Sequence, residues 1–132
     1  MMLTDIDIKD TIYQLLRAKG LHEEISGRIY KDMRPANSML EDVEISVLAG
    51  DAEQIQEFTL NVNVFVADIK RGDEFVENTA RLRTLSAAFA EALESVMFER
   101  CWISIESQRV VKMNDTALHV INNHISAKVC FE

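Results

Sequence analysis

Glu41, Asp42 and Glu44 form the densest cluster of carboxylates in the chain. Clustered carboxylates do acid/base work, or hold a divalent cation, when burial and loop geometry bring them together. No D-x-D-x-D-G loop surrounds these three, and catalytic pairs need burial that shifts their pKa values. They read first as a solvated acidic edge, and second as an electrostatic surface. Histidine is sparse: His22, His119 and His124. His119 and His124 with Asp115 have the donor types of a metal site. Their odd spacing on one strand sends the two rings to opposite faces, so edge or solvated histidines is the better reading. Cys101 and Cys130 form no C-x-x-C and read as reduced, packed thiols. There is no G-x-S-x-G elbow. Ser86, Ser95, Ser104 and Ser107 read as surface positions. Gly20 and Gly27 are too sparse for a phosphate loop. Lys70-Arg71-Gly72 and Arg81-x-Arg83 are basic but diluted by neighbouring acids. The residues therefore offer no catalytic, cofactor-binding or metal-binding set, and the expectation is a non-enzyme without a cofactor.

Charge placement says more than charge sum. The net charge is -8, and residues 35–68 carry seven acids (Glu41, Asp42, Glu44, Asp51, Glu53, Glu57 and Asp68) with no Lys or Arg. Such a segment repels a phosphate backbone, the reverse of a nucleic-acid footprint.

The elements that must carry these residues are legible from periodicity. A chain of 132 residues is about one domain and can bury one core without staples. No stretch reaches the length of a membrane span. The acidic N-terminus lacks the layout of a signal peptide, which places the chain in the cytoplasm when it is made. Residues 5–19 carry Ile8, Ile12, Leu15 and Leu16 at helical spacing. Residues 28–31 suggest a short strand, and Pro35 then breaks regularity. Val43, Ile45 and Val47 alternate with Glu44, Ser46 and Leu48. The clearest alternation runs through residues 55–66: Phe58, Leu60, Val62, Val64 and Val66 share one face, and Thr59, Asn61 and Asn63 the other. Phe65 is the apolar exception on that second face and calls for cover. The two strands should form a hairpin. The spacing of Phe75, Leu82, Leu85, Phe89, Leu93 and Val96 predicts a long helix over residues 73–98. Residues 102–113 and 118–131 read as strands, with a bulge near Asn122-Asn123 to restore register. The expected order is α-β-β-β-α-β-β: an α+β, two-layer domain with a mainly antiparallel sheet packed against two helices, and a long acidic hairpin.

The stretch Arg34-Pro35-x-Asn37-Ser38-x-x-Glu41-Asp42-x-Glu44-Ile45, followed by Asn61-Val62-Asn63-Val64-Phe65-Val66, resembles a family. It is similar to the small tail-completion or head-to-tail joining proteins of long-tailed phages and prophages, which include tail terminators. The likeness covers most of the chain and carries no catalytic signature.

That resemblance implies a structural virion protein at the neck or tail end. It implies self-association into a ring, often of six subunits, and contact with tail-tube or neck proteins. DNA would pass through the ring without being specifically bound, and no membrane is involved. Acidic residues on the channel wall would keep passage free. The candidate assembly or lumen surface is Glu41, Asp42, Glu44, Asp51, Glu53, Glu57, Asn61 and Asn63, on a hairpin long enough to project. A small-molecule or regulatory binding module is the alternative, and it predicts an enclosed apolar pocket between helix and sheet.

Overall fold

Thr4 and Asp7 close a capping box at the start of the first helix. The Thr4 hydroxyl accepts from the Asp7 N–H at 3.2 Å, and the Asp7 carboxylate accepts from the Thr4 N–H at 2.8 Å. Helix α1 then runs Asp5–Ala18 and buries Ile8, Thr11, Ile12, Leu15 and Leu16. These include all four apolar positions read from the sequence. Gly20, at φ +76, turns the chain into the short helix α2, Leu21–Glu24. A computed structural model describes residues 3–51 and 56–130, apart from the side chain of Asp51.

Eight strands follow or interleave: β1 Ile29–Tyr30, β2 Val43–Asp51, β3 Glu57–Ala67, β4 Ile69–Arg71, β5 Glu74–Val76, β6 Val96–Phe98, β7 Cys101–Lys112 and β8 Leu118–Val129. The third helix, α3, spans Thr79–Leu93. The architecture is α+β. Six strands make one sheet in the order β1-β2-β3-β8-β7-β6, while β4 and β5 pair by themselves. Strand β1 runs parallel to β2, and the remaining pairs are antiparallel. The sheet is therefore mixed, and the described residues form three helices and eight strands in place of the expected two and five.

Three further expectations change. The long helix over 73–98 shortens at both ends. Asn78 caps it by accepting from the Arg81 N–H at 3.2 Å, so the helix begins after Asn78. Residues 69–76 form the β4–β5 hairpin around Gly72, whose φ is +64. At the other end Glu94 is extended, and Ser95 has a positive φ. The expected bulge at Asn122-Asn123 is absent, since β3 and β8 pair without interruption from Glu57↔Lys128 to Ala67↔Leu118. The register shifts lie instead between Val47 and Ala49 on β2 and between Ile105 and Ser107 on β7. Finally, the acidic hairpin is built into the sheet rather than projecting from it. Strand β3 is flanked along its length by β8, and residues 52–55 lie outside the described residues.

The helices cover one face. Ile8, Ile12, Leu15, Leu85, Phe89 and Leu93 meet Ile45, Leu60, Val62, Ile103, Ile121 and Ile125 in one buried cluster. Each such side chain contributes about 1.5–3 kcal/mol on burial. Asn123 occupies a core-facing position within this layer and is fully buried. Its amide donates to the Val62 carbonyl at 3.0 Å, and its oxygen accepts from Gln108 Nε2 at 2.7 Å. Gln108 also donates to the Ser86 carbonyl on α3 at 2.8 Å. This polar link explains why no bulge is needed: Asn123 is buried but satisfied.

Candidate assembly surface

The sheet face opposite the helices is polar in rows. The register aligns Glu44, Asn63, Asn122 and Arg109 across four strands, and Ser46, Asn61, His124 and Ser107 in the next row. Asn122 Nδ2 donates to Asn63 Oδ1 at 2.7 Å. His124 Nδ1 lies 3.3 Å from Asn61 Oδ1. Ser126 donates to Glu57 Oε1 at 3.1 Å, and Glu44 Oε2 accepts from the Arg34 N–H at 2.8 Å. Four of the eight expected surface residues, Glu44, Glu57, Asn61 and Asn63, thus share one face. Asn61, Asn63 and Glu57 are tied into cross-strand contacts and Glu44 to the Arg34 loop, which stiffens the face rather than leaving it loosely solvated.

Glu41 and Asp42 sit elsewhere, in the turn before β2. Arg81 of α3 clasps the Glu41 carboxylate through two guanidinium nitrogens, with Nη2 at 2.8 Å from Oε1. The same guanidinium donates to the Glu24 carbonyl. This fork holds the Glu41 carboxyl below its ordinary pKa, against the opposing effect of burial. Asp42 is only 1% exposed. Its Oδ1 accepts from the Arg28 N–H at 3.1 Å, and Arg34 Nη1 lies 4.0 Å from Oδ2. Gly27 makes room for it: a Cβ there would lie 2.1 Å from Asp42 Oδ1 and 2.7 Å from the Glu41 carbonyl oxygen. Asp42 therefore presents its carboxylate to the interior of this turn. Glu53 lies outside the described residues, as does the side chain of Asp51.

Phe65, the apolar exception, is 6% exposed and lies under the guanidinium of Arg34. Arg34 also donates to the Pro35 and Ser38 carbonyls, which folds residues 34–38 over the sheet. Sequence reasoning missed a second polar cluster at the start of β8. The Asp68 side chain is buried, with Oδ1 2.6 Å from His119 Nδ1 and Oδ2 3.5 Å from Lys112 Nζ. His119 and His124 stay on opposite faces, with Asp68 and Asn61 as their respective neighbours. Among the described residues no group of three or more metal-ligating side chains gathers. Cys101 is buried, and burial pushes its thiol pKa up; Cys130, in contrast to the packed thiol expected, is exposed. No helix among the described residues is long and apolar enough to cross a membrane.

No family model matches the chain, and no curated protein matches it either. Among solved structures, the fold is similar to a chain from the virion of a native gene transfer agent (GTA) particle. The TM-score is 0.56 at 13% identity, over 92% of this chain and 93% of that one. The likeness extends over nearly the whole of both chains, and at this identity it is a likeness of fold.

Proposed function

We propose that this chain is a structural component of a phage-like virion, acting as one domain that completes the tail or joins it to the head. The observation that carries the reading is the fold shared, nearly end to end, with a chain of a gene transfer agent virion. The sequence resemblance to tail-completion and head-to-tail joining proteins leads to the same class from the residues. The described side chains between helices and sheet gather in one buried cluster.

In this reading the chain assembles into a ring, of six subunits by the resemblance, around the passage for DNA. Partners are other copies and tail-tube or neck proteins. Glu44, Glu57, Asn61 and Asn63 form the polar face available to line a channel or meet a neighbour. Negative charge there would lower the affinity of the wall for phosphates and leave DNA free to move. Glu41 and Asp42 serve the fold of the turn that carries β2.

The test is co-purification. The chain is expressed with the tail-tube and neck proteins of its own locus, and retention of either on the tagged chain is measured. Stable retention of at least one supports the reading; retention of neither contradicts it.

A further inference from the structure

We infer that copies of this chain pair edge to edge, the free stretch of β2 in one copy adding to the free stretch of β7 in the next. The inference rests on the proposed ring and names the two edges that close it.

Both edges are only partly covered. Strand β1 pairs with β2 at Val43 and Glu44 alone, and β6 pairs with β7 at Cys101, Trp102 and Ile103 alone. Among the described residues, 45–51 of β2 and 104–112 of β7 have a partner strand on one side only. Such an edge is a template for another strand. The alternation of the ladders identifies the free backbone groups. The Met113 N–H donates to the Leu118 carbonyl, and Val111 and Arg109 stand opposite Val120 and Asn122. Those residues turn their backbone groups to β8, so Gln108, Val110 and Lys112 turn theirs outward. On β2, the Asp42 carbonyl accepts from the Phe65 N–H of β3, while the Val43 N–H donates the other way, to Arg28. Ile45 and Val47 therefore turn theirs outward as well. An open groove lies against them, between Lys9 of α1 and Met33.

Direction and charge favour a second copy as the occupant. Each step from β2 through β3 and β8 to β7 is antiparallel, so β7 runs opposite to β2. Copies set side by side with their helices on the same face thus form an antiparallel ladder. In that arrangement β1, at the start of β2, falls beyond the end of β7. Likewise β6, at the start of β7, falls beyond the end of β2. Neither cap obstructs the other edge. The free stretch of β7 carries exposed Arg109, while Lys112 already faces Asp68 of its own chain at 3.5 Å; its one acid, Glu106, sits at the bulge. The β2 strand belongs to the segment that holds no Lys or Arg, and side-by-side docking keeps Arg109 on the sheet face that carries Glu44 and Ser46. Exposed apolar side chains occur on both edges: Leu48 on β2, and Val110 and Val111 at 46% on β7. Because β2 and β7 are different surfaces, the contact is heterologous and propagates until a rotation closes it into a ring.

The parity puts exposed Ser46 of one copy opposite exposed Val111 of the next, at a position where side chains approach closely. The test mixes Ser46→Cys chain with Val111→Cys chain, both carrying Cys130→Ser, at high concentration with a short bis-maleimide. Cross-linked dimer is expected in the mixture and not in either variant alone. Val110→Pro removes an N–H that the β8 ladder does not use, and should lower the yield at least tenfold with an unchanged circular dichroism spectrum. Arg109→Glu, at an exposed site, should lower it in the same direction. A mixture that cross-links no more than its components overturns the inference, as does full yield in both of the latter variants. Cross-linking without retention of tail-tube or neck proteins keeps the edges and removes the virion role; retention without cross-linking does the reverse.

Discussion

The guanidinium carbon of Arg34 lies 4.3 Å from the centroid of the Phe65 ring. The contact joins the loop before β2 to the middle of the sheet, on the face away from the helices. Phe65 breaks the polar pattern of that face, and a cation lying flat on the ring covers it without adding an apolar patch. The same arginine reaches towards the buried Asp42 and donates to two carbonyls. One side chain thus covers a ring, orders a loop and faces a buried carboxylate.

Arg34→Ala should therefore destabilise by more than a surface truncation. The expected loss is about 2–4 kcal/mol, because a buried carboxylate loses its nearest cation and a ring loses its cover. Arg34→Lys should recover part of this, since an ammonium keeps the charge but not the planar fork. Urea unfolding measures both. A loss under about 0.5 kcal/mol for the alanine variant, the range of ordinary surface substitutions, would remove Arg34 from this role.

Asn123 and Gln108 should behave as a unit. Asn123→Leu alone strips Gln108 of a buried acceptor and should cost about 1–3 kcal/mol. Adding Gln108→Leu should return part of that loss, because the donor left unpaired is then gone. A double-mutant cycle by urea unfolding reads the coupling. Additive single effects would mean the bridge from α3 to the sheet is incidental.

What was legible in the sequence was what is local. The face of β3 carrying Phe58, Leu60, Val62, Val64 and Val66 is buried throughout, because period two needs only neighbouring residues to show itself. The apolar stripe of α1 was legible for the same reason. The ends of α3 were not. Phe75 matched the helical spacing yet is exposed on β5, and the deciding signal was Asn78 as a cap. The satisfied Asn123 was hidden because its partners, Gln108 and the Val62 carbonyl, are distant in sequence. The Glu41–Arg81 fork was hidden likewise, so an acidic cluster that reads as one surface divides between the polar face and a buried turn.

The β6–β7 hairpin was missed for a different reason, and it can be improved. Its two central residues, Glu99 and Arg100, both have positive φ, at 45 and 70. That is the requirement of a type I′ turn, which Asn-Gly meets at least cost and which these residues do not advertise. Glu99→Asn with Arg100→Gly should stabilise by about 1–2 kcal/mol through relief of left-handed strain. Thermal unfolding checks this, with a higher midpoint expected. An unchanged or lower midpoint would contradict the strain.

Glu41 gives the stability a pH dependence of known sign. Its folded-state pKa is lowered, chiefly by the bond from Arg81, so its contribution is present above the unfolded pKa. The contribution is lost as pH falls through the lowered value. Stability measured from neutral pH down past the ordinary glutamate range should fall less steeply in Glu41→Gln than in the parent chain. Identical slopes would show that the fork does not stabilise the fold.

On the proposed function, this chain is a structural part of a phage-like particle, seated where tail meets head or where the tail ends. The most direct measurement is a reconstruction of the particle assembled when the chain is expressed with the neighbouring genes of its locus. The expected result is density for this α+β fold, repeated as a closed ring around the channel, with β2 of each copy beside β7 of the next. A particle that assembles fully without the chain, and carries no density for it, would contradict the account.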